Sequence, residues 1–296
     1  MSRPIQSALT RSVAHGGPGR QLGRARAAVD TLNTQLATGK RILKPSDDAS
    51  GFDQAKGIAR LQERLAQHTR SIDAAALWTD QTQVELAALS DLFVLAKEAG
   101  LRGANGILDG DDLADQVEAF RAEAIERLNA TSNGEYLFAG NDTLTAPIDA
   151  ATGAVAPGDF TGRREREIAP GVTVALNVTG ALEVGGVAAP DRLQALADAL
   201  RTGDPDAIGT ALAGVEEGVD HYIRLGGRSG DVSRRLGSAR AAIEQQHLLL
   251  DERRAAIEEI DLAETLGALQ QRQTGLEAAL RATAASVQQS LLNYLP

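Results

Sequence analysis

Apolar residues recur at alternating steps of three and four along much of this chain, a pattern typical of coiled-coil helices. Near the N-terminus the series runs from Leu22 through Val29 and Leu32 to Leu36. Just upstream, the segment AHGGPGR (14–20) is a poor helix former, so we expect a flexible or broken stretch there. The pattern therefore predicts a regular helix after that stretch.

The first helical series stops within the sequence LATGKRILKPSDDASG, and a longer series begins beyond it. Gly39 allows a helix to end, and Pro45 disfavours helical geometry at the residue before it. Ser46 or Asp47 is expected to start the next helix, with Asp48 favouring its positively polarised end. We therefore predict an abrupt inter-domain break formed by these five residues.

The second series is much longer than the first and predicts one extended helix. Apolar residues stay in phase from Ile58 to Phe93, and the helix is expected to end near Gly100. A turn follows, after which Asp111 or Asp112 is expected to cap a third helix.

The periodicity then changes to the alternation of strands. EYLFAG (135–140) predicts a strand, and REREIAPGVTVALNV (164–178) predicts a hairpin with Pro170-Gly171 at its turn. One or two short helices are expected over 190–217.

The C-terminal third returns to the helical repeat. Gly226-Gly227 with Gly230 predicts a loop or hinge, after which a helical seam runs from residue 231 to Ile260. A further seam follows, shifted in phase at 257–262. With the N-terminal series it forms the predicted assembly seam, which consists of Leu22, Val29, Leu32, Leu36, Leu262, Leu266, Leu269, Leu276, Leu280, Val287, Leu291 and Tyr294.

These patterns predict a mainly α fold, a long antiparallel helical bundle or coiled coil built from both termini, with a small β-hairpin-containing domain inserted at the tip. Because the two ends mirror one another, the termini are expected to lie together. The predicted division is 1–44 (N-terminal inner helix and break), 45–140 (outer helical rod, N-terminal part), 141–219 (small mixed tip domain), 220–257 (outer rod, C-terminal part) and 258–296 (C-terminal inner helix).

The composition fits long helices. Aromatic residues make up 3% of the chain, as expected where helices bury narrow apolar seams. The absence of cysteine excludes disulfides, thiolate metal sites and cysteine nucleophiles. The net charge is −10, although residues 1–44 hold eight Lys or Arg against one Asp, about +7. Because no aromatic residue lies among these cations, no nucleic-acid partner is expected.

Candidate chemistry is sparse. The four histidines, His15, His68, His221 and His247, have no second histidine four residues away and no nearby ligand set, so no metal is expected. DGDDLAD (109–115) lacks the spacing of an EF-hand and suits helix capping. No catalytic or cofactor-binding residue is predicted, and we do not expect an enzyme. No apolar run matches a signal-peptide core or the roughly 18 residues of a membrane span, so neither membrane insertion nor a cleaved signal is expected.

Three stretches resemble the flagellin superfamily. LATGKRILKPSDDASG resembles the passage from an inner terminal helix to the outer rod, and LFVLAKEAGLRGANG (92–106) resembles the end of the first long outer helix. DLAETLGALQQRQTGLEAALRATAASVQQSLLNYL (261–295) resembles the terminal helix throughout. The resemblance covers nearly all of 30–140 and 220–295 and implies a self-assembling structural subunit of the bacterial flagellum.

Within the superfamily, NGEYLFAG (133–140), PGDFTGRREREIAPGVTVALNVTG (157–180) and the ending LLNYL resemble members that join the hook to the filament. SDDASGF leans toward flagellin itself, so a short filament-forming flagellin is the alternative. The resemblance implies hook-associated protein 1, flagellin and further copies of the chain as partners, with an export chaperone on the C-terminal helix. It also implies an extracellular location reached through the flagellar type III apparatus.

Two other classes of protein account for fewer of these sequence features. A secreted translocator would need an apolar hairpin, which the chain lacks. A cytoplasmic coiled-coil signalling module would account for the heptads, but not for the β region or the paired breaks.

Overall fold

The computed structural model describes residues 5–106 and 109–292, with side chains over 19–106 and 109–285. The helices of this part are α1 (Ile5–Thr38), α2 (Ala49–Ala104), α3 (Gly110–Leu128), α4 (Ala189–Thr202), α5 (Pro205–Glu258) and α6 (Leu262–Leu292). The strands form three short antiparallel pairs between α3 and α4, namely β1 (Thr131–Ser132) with β2 (Glu135–Tyr136), β3 (Glu165–Ala169) with β4 (Val172–Ala175), and β5 (Glu183–Val184) with β6 (Val187–Ala188). The predicted mainly α fold with a small inserted β region is confirmed.

The chain divides into two compact units. Unit 1 comprises Met1–Glu63 and His247–Pro296, and unit 2 comprises Arg64–Gln246. Unit 1 is thus formed by both ends of the sequence, and unit 2 is formed by the middle.

In unit 1, α1 packs against α6, which confirms that the two ends of the chain lie together. Val29 is buried, and Leu22, Leu32 and Leu36 are half-buried between more exposed neighbours. The expected broken stretch over 14–20 was wrong, because α1 is helical from Ile5 onward. Local propensity is a weak preference, and a helix can continue through residues that disfavour it.

The core of unit 2 centres on an aromatic pair between α2 and α5. The rings of Phe93 and Tyr222 lie 5.2 Å apart between centroids. Gly218 permits this contact, because a Cβ there would lie 2.2 Å from the Phe93 ring. The Tyr222 hydroxyl donates to the Ala181 carbonyl at 2.9 Å, and burial raises the pKa of this tyrosine. The pair therefore fixes the approach of the two helices within the unit.

The predicted loop or hinge at Gly226, Gly227 and Gly230 was wrong, since α5 continues through all three glycines. Leu225 and Ser229 are buried on the inner face of this segment. Packing of that face stabilises a helix that the glycines alone would weaken.

The predicted hairpin over 164–178 is confirmed. β3 pairs with β4, Gly171 has φ +73°, and a bulge lies between Glu167 and Ala169. Ile168 and Val174 are buried on one face.

Two local predictions were wrong. The strand expected over 135–140 is only Glu135–Tyr136, because Leu137 and Phe138 turn inward and are buried. The cap of α3 is Asp109, whose side chain accepts from the Asp111 amide, and not Asp111 or Asp112.

Candidate functional site

Unit 1 contains two interruptions between helices, one between α1 and α2 and the other between α5 and α6. The first interruption begins where α1 ends. Thr38 closes the last turn by donating its hydroxyl to the Thr34 carbonyl at 2.8 Å. The next residue, Gly39, has φ +69°, which glycine adopts at little cost. The chain therefore leaves the helix axis at Gly39, within the predicted break.

Backbone hydrogen bonds join this interruption to the one between α5 and α6. The Arg41 amide donates to the Glu258 carbonyl at 2.6 Å, and the Ile260 amide donates to the Gly39 carbonyl at 3.1 Å. Between them, Lys40 and Glu259 form an antiparallel β-bridge. The two breaks are thus one structure, which we call the paired break (residues 39–48 and 259–261).

Arg41 is the centre of the paired break. Its guanidinium donates to the Ile257 carbonyl at 3.1 Å, satisfying a free carbonyl in the last turn of α5, and to the Asp48 carboxylate at 3.4 Å. Its own carbonyl accepts from the Gln35 side chain at 2.9 Å. One residue therefore contacts the end of α1, the end of α5 and the residue before α2.

Glu258 supplies a negative charge on the C-terminal side of the paired break. Its carboxylate lies 2.9 Å from the Lys40 ammonium and 3.2 Å from the Arg254 guanidinium, with a side chain only 15% exposed. Partial burial alone would raise the pKa of Glu258, but the two cations outweigh it and lower the pKa below its usual 4.5. The carboxylate is therefore stabilised in its charged form.

The start of α2 differs in detail from the prediction. The helix begins at Ala49, and the Asp48 carboxylate caps it by accepting from the Gly51 amide at 2.9 Å. That hydrogen bond, helped by Arg41, lowers the pKa of Asp48. Asp47 instead closes the preceding turn, where its carboxylate accepts from two backbone amides at 3.1 Å. Pro45 and Ser46 lie in that turn, so the expectation that Ser46 or Asp47 starts the helix was wrong.

A single apolar side chain fills the break. Ile42 is only 4% exposed, although it lies in an irregular segment between two helices. Its Cδ1 approaches the first turn of α2 so closely that a Cβ on Gly51 would lie 2.5 Å from it. Gly51 is therefore required for close packing at this point.

The start of α6 has a cap of its own. The Asp261 carboxylate accepts from the Ala263 and Glu264 amides at 2.9 and 3.0 Å, and the Thr265 hydroxyl donates to the Asp261 carbonyl at 2.6 Å. The phase shift predicted at 257–262 is thus a true helix end followed by a new start.

The predicted seam on α6 is divided by the structure. Leu269 and Leu276 are half-buried, whereas Leu262, Leu266 and Leu280 are 62%, 47% and 48% exposed. Val287, Leu291 and Tyr294 lie outside the residues whose side chains are described. Over the part of α6 whose side chains are described, these three leucines are therefore exposed beyond the contact with α1.

Sequence reasoning missed Arg41, Ile42, Gly51, Glu258 and Asp261. The roles of the first four depend on contacts between distant parts of the chain or on close packing, whereas the Asp261 cap is made to amides two and three residues further along. The only local signals were the adjacent cations before Ile42 and the acidic run EEID.

Within the described residues, no cluster of three or more His, Asp or Glu could hold a metal ion. In the same part of the chain, no helix has the length and apolarity needed to cross a membrane.

Two family descriptions match the chain. The bacterial flagellin N-terminal helical region matches residues 19–143, and the bacterial flagellin C-terminal helical region matches residues 212–295. Together they span more than two thirds of the chain, and they contain both halves of the paired break.

Among curated proteins, flagellar hook-associated protein 3 of Salmonella typhimurium is 32% identical over 132 residues, 43% of this chain and 42% of that protein. The protein of the same name from Escherichia coli K12 is 33% identical over 126 residues, 40% of this chain and 39% of that protein. The matched part thus spans about two fifths of the length of these relatives.

Two solved structures share the fold. A putative flagellar hook-associated protein from Vibrio parahaemolyticus has a TM-score of 0.66 at 21% identity, covering 72% of this chain and 100% of that one. The flagellar hook associated protein-3 of Legionella pneumophila has a TM-score of 0.59 at 13% identity, covering 67% of this chain and 97% of that one.

Proposed function

The chain belongs to the flagellin family, and on that basis we propose that it is a structural subunit of the bacterial flagellum, an adaptor that joins the hook region to the flagellin filament. The names of the curated relatives favour a hook-associated role over a filament-forming one. The role is structural rather than catalytic.

Assembly through the terminal helices is the mechanism we propose. The observation that carries it is the exposure of Leu262, Leu266 and Leu280 on α6. Burying one such side chain against a neighbour contributes about 1.5–3 kcal/mol, so a short row of leucines supports a stable contact. Neighbouring copies, joined by different surfaces of the same chain, would then extend the assembly around an axis.

The paired break gives this assembly a defined geometry. The break between α1 and α2 is hydrogen-bonded to the break between α5 and α6. As a result, α1 and α6 form a helix pair that is separate from the first turns of α2 and the last turns of α5. We propose that this pair is the inner layer of the assembly. The domain division given above (1–44, 45–140, 141–219, 220–257 and 258–296) belongs to the same proposal.

The partners follow from the adaptor role. We propose hook-associated protein 1 on the hook side, flagellin on the filament side, further copies of the chain beside it, and an export chaperone that captures the C-terminal helix. The location is the extracellular flagellum, reached by flagellar export.

Deletion of the gene tests the adaptor role. An adaptor predicts cells whose hooks carry no filament and whose flagellin is released unpolymerised into the medium. The alternative, a short flagellin favoured by SDDASGF, predicts that filaments of any other flagellin stay attached. Attached filaments in the deletion strain would therefore contradict the adaptor role.

A further inference from the structure

The outward face of α2 in unit 2 carries a helical seam that, among the described residues, forms one ion pair with another helix of the unit, at its Asp73 end. Counting from Asp73 to Leu101 in alternating steps of four and three residues, every residue reached is exposed. Such steps keep side chains on one face of a helix and are the signature of coiled-coil contacts. We call this series the α2 outer seam.

Five members of the α2 outer seam are apolar, and four of these are large. Leu77 is 57% exposed, Val84 62%, Val94 37% and Leu101 45%, whereas Phe93 on the opposite side of α2 is fully buried. Scattered exposed apolar residues need no explanation, but a regular series along one face marks an interaction surface.

The remaining members of the α2 outer seam are acidic, and none is basic. Asp73 pairs with Arg240 at 3.2 Å, and Glu98 pairs with an arginine on its own helix. Asp80 and Asp91 have no ion pair within the described part of the chain. Carboxylates in a packed seam are costly unless cations face them, so the occupant of this seam must be both basic and apolar.

A surface of that chemistry lies on the outward face of α5. Ile223 is 58% exposed, and Arg224 and Arg228 beside it have no ion pair among the described residues. Gly227 lies between the two arginines, and no atom lies within 4 Å of the place where a Cβ would be, which lets a neighbouring helix approach closely. We call residues 223–228 the α5 basic face.

We propose that the α2 outer seam of one copy docks on the α5 basic face of a second copy of this chain. The inference rests on the proposed function, since it names one contact by which copies assemble. The two surfaces differ, so the contact is heterologous and repeats from copy to copy instead of closing as a pair.

Cysteine cross-linking tests the contact directly, because the chain contains no cysteine of its own. The test variant carries Val84→Cys and Gly227→Cys, both at exposed positions, and the controls carry either change alone. Isolated flagella bearing each variant are treated with a short bis-maleimide and separated on a denaturing gel. The same preparations are labelled with gold-conjugated antibody to locate the chain.

The proposal predicts a ladder of dimers, trimers and larger species from the double variant, and no ladder beyond dimer from either single variant. Label between hook and filament with monomer only in the double variant would overturn this inference and leave the adaptor role intact. A ladder with label along the whole shaft would support the contact and overturn the adaptor role.

Charge reversal in the same cross-linking background provides the second test. Asp80→Lys with Asp91→Lys should abolish the ladder, and adding Arg224→Glu with Arg228→Glu to the same chain should restore it. Glu126→Lys with Glu165→Lys changes the net charge equally on other exposed positions and should leave the ladder unchanged. Equal ladders from all these variants, or no recovery in the fourfold variant, would contradict the docking of these two faces.

Discussion

The backbone amide of Arg41 donates to the carbonyl of Glu258 at 2.6 Å, so the end of the first helix and the end of the fifth are joined directly. The same two residues also anchor the charged groups around the break, through Asp48 on one side and Lys40 on the other. Two interruptions far apart in sequence therefore act as one structural element, and its parts can be tested separately.

Gly39→Ala should destabilise unit 1. Its φ of +69° is unfavourable for alanine, whose left-handed conformation costs about 1–2 kcal/mol. A Cβ would meet no atom within 4 Å, so the cost is purely conformational. Gly23→Ala is the matched control, since Gly23 is equally open but helical, and it should raise the free energy of unfolding by about 0.8–1 kcal/mol. Urea denaturation measures both, and equal effects of the two changes would contradict the assigned geometry.

Gly51→Ala should displace Ile42 from the break, because the new methyl group would overlap its Cδ1. Overpacking of this kind costs about 1–3 kcal/mol of unfolding free energy. In the double variant with Ile42→Ala, the clash with Cδ1 is removed and only the contact with the Asp48 carboxylate remains, so the combined loss should be smaller than the sum of the single losses. Gly57→Ala, on the same helix with open space around it, should not destabilise. Strict additivity would show that the two residues do not touch.

Glu258→Gln should reduce the fall in melting temperature that the protein shows on acidification. In the folded protein the pKa of Glu258 lies below its usual 4.5, so its contribution to stability is complete above about pH 4.5 and is lost as pH falls through the lower value. The wild type should therefore lose more of its melting temperature below pH 4.5 than the variant does. Glu252→Gln, an exposed neighbour on the same helix, is the control. Parallel melting curves for the wild type and Glu258→Gln across this range would contradict the ion-pair assignment.

Leu266→Ser with Leu280→Ser should abolish filament attachment while leaving the isolated chain folded. Both side chains are about half exposed, and surface changes typically alter stability by about 0.5 kcal/mol or less. Leu248→Ser with Leu249→Ser removes two exposed leucines of α5 and should leave attachment intact. Counting filaments by electron microscopy separates the pairs, and attachment in the first pair would rule out the α6 leucines as assembly contacts.

Removing residues 262–296 should leave unit 2 folded, because the Phe93–Tyr222 core and the hairpin lie within 64–246. The truncated chain should retain a cooperative melting transition but restore no filaments and bind no export chaperone. Normal filaments with this chain would contradict assembly through the terminal helices.

Much of the fold was predictable because its signals are local. The heptad series placed the long helices, and Pro170-Gly171 placed the hairpin turn with the φ that its glycine requires. Gly39 identified the end of α1 for the same reason.

The remainder depends on contacts that no local pattern contains. α5 passes through Gly226 and Gly227 because Leu225 and Ser229 pack on its inner side, which outweighs the low helix propensity of glycine. Arg41 could not be distinguished from its neighbouring cations until its partners on the C-terminal side were known. The exposure of some seam leucines and not others likewise follows from how α1 and α6 meet.

The location of the chain on the flagellum tests the central claim most directly. Antibody raised against residues 141–219, followed by gold labelling and electron microscopy of sheared flagella, reports that location. The adaptor role predicts a single labelled zone between hook and filament. Label along the whole shaft would contradict it and identify the chain as a filament-forming flagellin.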